Sequence, residues 1–427
     1  MITARAFAGK HYAVYGLARS GLATVEALLA SGARVAAWDA KENARSKAPA
    51  GTKIANLDEA DLTQFDSLVV TPGLPLNRHP IAKRAREAGV EIIGDIELFA
   101  RARPELPPHK VVGITGTNGK STTTALVHHI LKTAGVPTTM GGNIGLPILA
   151  QDPLPEGGVY VLELSSYQID LTQGLDCDVA VLLNITPDHL DRYESFEAYE
   201  RSKWRLFQMQ DPGPHLAVVT EPWPVKPEFD AAIPNVHIHW AATFDYTERQ
   251  QNWPALQGPH NHQNAACAIG VCRELGISDH AIEKGLRSYP GLPHRMERIR
   301  EKDGVLFVND SKATNPTATA PALAAFDKIR WICGGQAKTD NLDECAPQFR
   351  HVRKAYTIGE AGELFASLLS PHMAVAECET LERAVGEAAR EAEAGDTVLL
   401  SPACASFDQF RDFEDRGDQF RRLVEGL

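Results

Sequence analysis

No stretch of this chain holds the roughly 18 consecutive apolar residues that a membrane-crossing helix needs. The opening residues, MITARAFAGKHYAVYG, lack the apolar core of a secretory signal, so a soluble, cytoplasmic protein is expected. Cysteine is sparse: Cys177, Cys267, Cys272, Cys333, Cys345, Cys378 and Cys404 form no Cys-x-x-Cys pair and no zinc spacing. Scattered and odd in number, they read as reduced thiols. No block of Lys and Arg stands out, and a formal charge of -12 argues against a nucleic-acid surface. Phosphate binding stays open, because a few backbone amides and one lysine suffice for it. Internal repeats and low-complexity tracts are absent as well.

What remains is an ordinary globular composition, 44% apolar and 23% charged, in 427 residues, enough for two to four domains. Apolar β-rich runs alternate with helical patterns, which signals parallel α/β layers. The first unit reads as strand His11–Tyr15, helix Gly21–Ala30 and strand Arg34–Trp38, and it closes at the Pro-rich break Arg103–His109. The second opens with strand Lys110–Thr115 and a helix from Lys120 to Thr133, followed by strands Val159–Leu164 and Val179–Asn184. Pro and Gly in Tyr289–His294 mark a second linker. Strands Val305–Asn309, Ile329–Cys333, Ala355–Ile358 and Thr397–Leu400 make the third. The expected domains are residues 1–106, 107–292 and 293–427.

The strongest signal is Gly113-Ile-Thr-Gly-Thr-Asn-Gly-Lys-Ser-Thr122, set between an apolar strand and a helix. Its glycines let backbone N–H groups turn onto phosphate oxygens, and the helix dipole adds positive potential there. Lys120 can neutralise β- and γ-phosphates, and Ser121 offers a hydroxyl to Mg2+. Ile114 stands where the strict spacing wants a first glycine. A Gly-rich turn would explain Gly116 and Gly119, but not Gly-Lys-Ser in register after a strand. The stretch Gly116, Thr117, Asn118, Gly119, Lys120, Ser121, Thr122 resembles the loop of the Mur ligases and of the folylpolyglutamate synthases. Both families join a carboxylate to an amine through an acyl phosphate.

Glu163 ends the next strand, where ligand sites of α/β sheets gather. The strand after it runs into Asn184-Ile-Thr-Pro-Asp-His-Leu-Asp191. A carboxylate and an imidazole, Glu163 and His189, suit a divalent ion beside a bound triphosphate. His189 alone reads equally as a packing histidine, and Asp188 as the cap of the following helix. Lys203, between Arg201 and Arg205, reads by itself as a solvated cation. The Mur resemblance implies instead a carbamylated lysine holding a second Mg2+, which requires a neutral amine and so a depressed pKa.

Gly16-Leu-Ala-Arg-Ser-Gly21 with Asp39 looks like a dinucleotide fingerprint, but Ala18 replaces the middle glycine and counts against NAD. A tight βα turn with Asp39 capping a loop is the plain alternative. The resemblance implies UDP-substrate contacts at Arg19, Ser20, Asp39, Ala40, Thr71 and Asn143. It also implies adenine contacts at Asn261 and Asn264, which open a helix, and approach to ATP by His294, Arg295, Asp310 and Lys312. Asn309-Asp-Ser-Lys-Ala-Thr-Asn-Pro316 is similar to the version found in D-glutamate-adding members, and no Asp-Asn-Pro-Arg motif of the diamino-acid-adding kind occurs. Thr314 and Lys338 would then hold the α-carboxylate of glutamate, and Ser406 with the backbone near Phe413 its side-chain carboxylate. Gln336 departs from the family by replacing an acidic residue. Ser406 otherwise reads as the cap of a helix Asp408–Leu423, and Cys404 as a small buried thiol rather than a nucleophile.

Taken whole, the resemblance covers about residues 10 to 425 and implies an α/β protein of three domains. These are a Rossmann-like N-terminal UDP-binding domain, a P-loop-type central ATPase domain and a Rossmann-like C-terminal domain. It implies ATP and two Mg2+ ions, UDP-N-acetylmuramoyl-L-alanine and D-glutamate as reactants, and a monomer with neither nucleic acid nor membrane as partner. The Trp- and Pro-rich stretch 222–257 is short for the antiparallel strands the family has there. A folylpolyglutamate synthase would carry its phosphate loop near the N-terminus, whereas a full domain precedes it here. An NAD-dependent oxidoreductase is favoured only by the Gly16–Gly21 loop.

Overall fold

The computed structural model describes residues 1–188, 191–211, 215–220, 237–241 and 246–427. The first sheet comprises β1 (His11–Tyr15), β2 (Arg34–Trp38), β3 (Lys53–Ile54), β4 (Ser67–Val70) and β5 (Glu91–Ile93), ordered β3-β2-β1-β4-β5. All its pairings are parallel. Helices on both faces bury its central strands, which is why those strands read as continuous apolar runs. The helix after β1 spans Arg19–Ala30 and starts two residues before the expected Gly21.

The second sheet holds β6 (His109–Thr115), β7 (Thr138–Gly142), β8 (Gly158–Glu163), β9 (Val179–Leu182), β10 (Leu216–Thr220) and β11 (His237–Ala241). Their order is β11-β10-β9-β6-β8-β7, again all parallel. β6 lies between β8 and β9, so the chain leaves it at the point where strand order reverses, the natural ligand crevice of such a sheet. Of the stretch 222–257, the described residues give the parallel edge strand β11 and a short helix, Thr247–Gln250.

The third sheet is β12 (Glu297–Lys302), β13 (Val305–Asn309), β14 (Ile329–Gly334), β15 (Val352–Ile358), β16 (Ala374–Glu379) and β17 (Thr397–Leu400). Its order is β12-β13-β17-β14-β15-β16, with β12 antiparallel to β13 and the other pairs parallel. By compactness the chain forms two units: Met1–Phe244 with Gln263–Gly285, carrying the first two sheets, and Asp245–His262 with Leu286–Leu427, carrying the third.

Three local expectations are corrected. The last helix runs Phe413–Glu425, not Asp408–Leu423, and its cap is Asp412, which accepts from Asp415 N, rather than Ser406. Residues before it are committed elsewhere: Ala403 is left-handed (φ 57°) and Ala405 pairs with Gln336. Asp188 caps no helix, since Ser195 caps Phe196–Gln208. Asn261 is not a cap either. Its helix begins at Pro259, a residue suited to a first turn, and the Asn261 amide donates to Gln257 O at 3.1 Å.

Candidate active site

The phosphate loop leaves β6 and enters the helix Lys120–Thr133. Gly119 sits at φ +84°, and a Cβ there would lie 2.3 Å from Asn264 Oδ1. Only glycine permits that turn and that approach. Asn264 Oδ1 also accepts from Thr123 Oγ1 at 3.2 Å, which fixes one side of the loop. The other side is fixed from the end of β9. Asn184 O accepts Thr117 N at 2.8 Å, Asn184 Oδ1 accepts Asn118 N at 2.9 Å, and Asn184 Nδ2 returns a bond to Asn118 O at 3.1 Å. Thr117 Oγ1 accepts from Thr186 N at 3.0 Å and meets Tyr199 OH at 3.2 Å. Lys120 Nζ bends back onto Gly116 O (2.9 Å) and Thr117 O (2.7 Å). Ser121 is buried one residue on, and Thr122 is half-buried.

Lys203 is the largest departure from its local reading. Its side chain is 1% exposed, not solvated. Arg201 and Arg205 suggested a wet face, but two-residue neighbours point elsewhere on a helix. Tyr199 and Phe207, at four-residue spacing, share its inward stripe and are buried too. Lys203 Nζ donates to Gly116 O at 2.9 Å and lies 4.6 Å from the Tyr199 ring centre. Burial, then repulsion from Lys120, drives its amine well below the ordinary lysine range, with Asp188 and Asp170 pulling weakly the other way. Two lysines thus converge on one carbonyl, and burial shifts the deeper one toward its neutral form.

Glu163 pairs with Ile114 across β8 and β6 and is 2% exposed. Its Oε1 accepts from Asn143 Nδ2 at 2.9 Å, whereas the buried Oε2 has no hydrogen-bond partner. An orphaned carboxylate oxygen at a strand end is costly unless a cation completes it, so the residues present fit a divalent ion. His189 lies outside the described residues. Among the described residues, no three His, Cys, Asp or Glu side chains form a cluster of their own.

At the first sheet, Gly16 is at φ +97°, with Thr71 against it. Asp39 accepts from Leu17 N (2.8 Å) and Lys41 N (2.9 Å), tying the loops after β1 and β2 together. The plain loop-capping reading of Asp39 therefore holds in this structure. Ser20 and Thr71 are half-buried and Ala40 is exposed beside them, while Arg19 reaches across to Gly145 O at 2.8 Å.

In the second compact unit, the loops after β13, β14 and β17 meet. His294 (φ +61°) and Met296 (φ +48°) both hold left-handed backbone, an unfavourable conformation for such side chains. What holds them is a set of bonds: Lys312 N to His294 O (3.0 Å), Met296 N to Asp310 Oδ1 (3.2 Å) and Asn309 Nδ2 against His294 Nδ1 (3.0 Å). Arg295 lies between them. Burial pushes the Asp310 carboxyl up to about 7, against bonds from Ser401 and Met296 N that pull it down. Lys312 Nζ sits 3.6 Å over the Phe413 ring. Lys338 Nζ donates to Thr314 Oγ1 at 3.4 Å, bringing the two expected α-carboxylate residues together, and Ser406 is buried. Gln336 exchanges both backbone bonds with Ala405 at 2.9 Å while its side chain is exposed. Its structural work is done by the main chain, which any residue could supply.

Three Mur ligase families match this chain: the MurD-like N-terminal domain over residues 10–94, the middle domain over 114–257 and the glutamate ligase domain over 294–404. A UDP-N-acetylmuramoylalanine--D-glutamate ligase of Novosphingobium aromaticivorans is 60% identical over 430 residues, spanning 100% of this chain and 97% of that protein. The chain belongs to the Mur ligase family. A Sphingopyxis alaskensis protein of the same name is 59% identical, with 100% of both chains covered. The MurF ligase of Thermotoga maritima, solved in complex with ADP, superposes with a TM-score of 0.60 at 18% identity, covering 98% of this chain and 96% of that one. At that identity the likeness speaks for the fold alone. As a Mur ligase the chain is an ATP-dependent amide-forming enzyme of peptidoglycan precursor synthesis, and Mur ligases use ATP with Mg2+.

Sequence reasoning missed several residues that shape this Mur ligase site. Asn184 and Asn309 each sat inside a quoted motif, and each stands just past or at a strand end, which was the available signal. Arg416 carried none: it lies in the first turn of the last helix in a charged run, yet it is 0% exposed. Cys404 is buried, and its thiol is pushed up to about 12, which removes it as a nucleophile. A cavity of about 440 Å3, lined by Pro72, Leu74, Ile92, Tyr167, Arg192 and Tyr193 among others, includes none of the expected site residues. No helix among the described residues is long and apolar enough to cross a membrane.

Proposed function

We propose that this Mur ligase joins D-glutamate to UDP-N-acetylmuramoyl-L-alanine, with ATP as the energy source and an acyl phosphate as intermediate. The observation that carries the reading is the buried Lys203 amine bonded, together with Lys120, to the Gly116 carbonyl beneath the phosphate loop. In the first step the acceptor's carboxylate attacks the γ-phosphorus, and ADP leaves. In the second, the neutral amine of glutamate attacks the acyl carbon, loses a proton, and phosphate departs. The loop amides of Gly116, Thr117, Asn118 and Gly119 bind phosphate oxygens, with Ser121 and Thr122 at the helix start. Lys120 turns from the loop carbonyls to neutralise the transferring group.

Two Mg2+ ions, when bound, screen the phosphates and polarise the γ-phosphoryl group. Ser121, Glu163 and His189 would hold one, with carbamylated Lys203 serving the other. Carbamylation joins the neutral Lys203 nitrogen to the carbon of CO2 and releases one proton, turning a cation into a carboxylate-like ligand. Asn261, Asn264, His294, Arg295, Asp310 and Lys312 serve ATP. Arg19, Ser20, Asp39, Ala40, Thr71 and Asn143 serve the UDP substrate. Thr314 and Lys338 take the α-carboxylate of glutamate, and Ser406 with Phe413 its side chain. The working domains are residues 1–106, 107–292 and 293–427, in a cytoplasmic monomer. Phosphate release from ATP, screened with each amino acid, tests this. Turnover should need both UDP-N-acetylmuramoyl-L-alanine and D-glutamate, and sustained turnover with a different amino acid would refute the assignment.

A further inference from the structure

Two arginines are buried in the second compact unit, and they are balanced differently. Arg330 has a carboxylate on it, Asp396 at 2.8 Å, with Glu391 at 3.7 Å. Arg416, 0% exposed, has no carboxylate within ion-pair distance among the described residues. Its guanidinium is met by neutral acceptors only. Nε donates to Ser311 Oγ (2.9 Å), Nη2 to Ser311 O (2.8 Å) and Cys404 O (3.1 Å), and Nη1 to Ala405 O (3.3 Å). Asp310 and Asp408 act on it only at longer range. A buried charge with neutral neighbours is expensive to keep, and an arginine cannot escape by losing its proton.

The position of this charge is informative. Cys404 and Ala405 lead directly into Ser406, and Ser311 Oγ also donates to Phe413 O at 2.8 Å. A Cβ on Gly335 would come within 3.2 Å of Arg416 Nη1. The guanidinium therefore underlies all three loops that bear the expected glutamate residues. We propose that Arg416 is a positioning and specificity residue whose unbalanced positive charge is completed by the side-chain carboxylate of the incoming amino acid, selecting an acidic over a neutral one. This rests on the glutamate reading above. The low-dielectric surroundings that make the charge costly also lengthen its reach, so it acts through the loops without touching the ligand.

The test measures KM for D-glutamate, ATP and the UDP substrate, and the Ki of D-glutamine as a neutral isostere. Arg416→Met should raise the glutamate KM by roughly 30-fold or more and shrink the glutamate-over-glutamine preference by about 10-fold or more. The other two KM values should move less than about 3-fold. A merely structural arginine would shift all constants together and leave the preference intact, which would overturn the proposal. If Arg416→Met does not fold, Arg416→Lys decides. A buried ammonium loses its proton as pH rises, so the glutamate KM should climb between pH 7 and 9.5 relative to wild type, with the glutamine Ki unaffected. Parallel profiles for the lysine variant and wild type would equally overturn it. Should wild type not use glutamate at all, the functional reading fails instead, and the two failures are distinct.

Discussion

Lys203 and Arg416 are both basic side chains buried to 1% exposure or less, and among the described residues neither has a carboxylate bonded to it. They respond in opposite ways. Burial drives the Lys203 amine below the ordinary lysine range, toward the neutral form that carbamylation needs. Arginine keeps its charge in the same kind of surroundings, and the Arg416 loops supply four neutral acceptor contacts to it. On the reading proposed above, one region gains a nitrogen that can be converted to an anion. The other keeps a permanent positive field. Residue type decides which, and that is why exchanging lysine and arginine is informative in both places.

The largest effect is expected outside the pair, at the phosphate-loop lysine. Lys120→Ala should reduce ATP turnover by about 100-fold or more, the scale of removing a preorganised charge contact, with little change in melting temperature. An unchanged phosphate-release rate would break the nucleotide assignment. Next, Lys203→Arg should be as damaging as Lys203→Ala, because the account needs an anion there and arginine cannot become one. Added short carboxylic acids should partly restore the alanine variant by filling the vacated anionic position. An active arginine variant would make Lys203 an ordinary cation and erase the contrast.

Lys338→Ala should raise the glutamate KM by roughly 10-fold while the acyl phosphate still forms and can be trapped. Blocking of the first half-reaction with unchanged glutamate affinity would move the amino-acid pocket elsewhere. The smallest effect concerns Asp310. Burial raises its pKa from the ordinary 3.8 to about 7, so the folded chain binds the extra proton between these limits. Stability from this group is greatest at low pH and is lost as pH rises through about 7. Melting curves should show Asp310→Asn gaining on wild type across that window and levelling off above it. A constant difference from pH 4 to 8 would mean that Asp310 ionises normally.

Much of the layered fold was legible because parallel strands buried on both faces are continuous apolar runs. His11–Tyr15, Arg34–Trp38, Val305–Asn309 and Thr397–Leu400 match the observed strands residue for residue. The phosphate loop was legible for a related reason, since its function demands glycines and a lysine at fixed spacing. The local reading of Lys203 as a solvated cation failed because its flanking arginines describe the opposite face of the helix, and only packing against β6 and β9 shows which stripe is inward. The last helix was begun too early because the side chain that caps it is Asp412, and the residues before it belong to the loop tied down by the Gln336–Ala405 pairing. Arg416 was invisible for want of any local pattern: its acceptors come from Ser311, more than a hundred residues away, and from Cys404 and Ala405 in the preceding loop.

The central claim is that burial leaves Lys203 as a neutral amine that takes up CO2. Carbon-13 NMR of the full-length chain equilibrated with 13C-bicarbonate, Mg2+ and ATP tests it directly, with Lys203→Arg as the control. The account predicts a carbamate carbonyl resonance in wild type that disappears in the variant. No such resonance in a catalytically active wild-type sample, or the same resonance in both proteins, would contradict it.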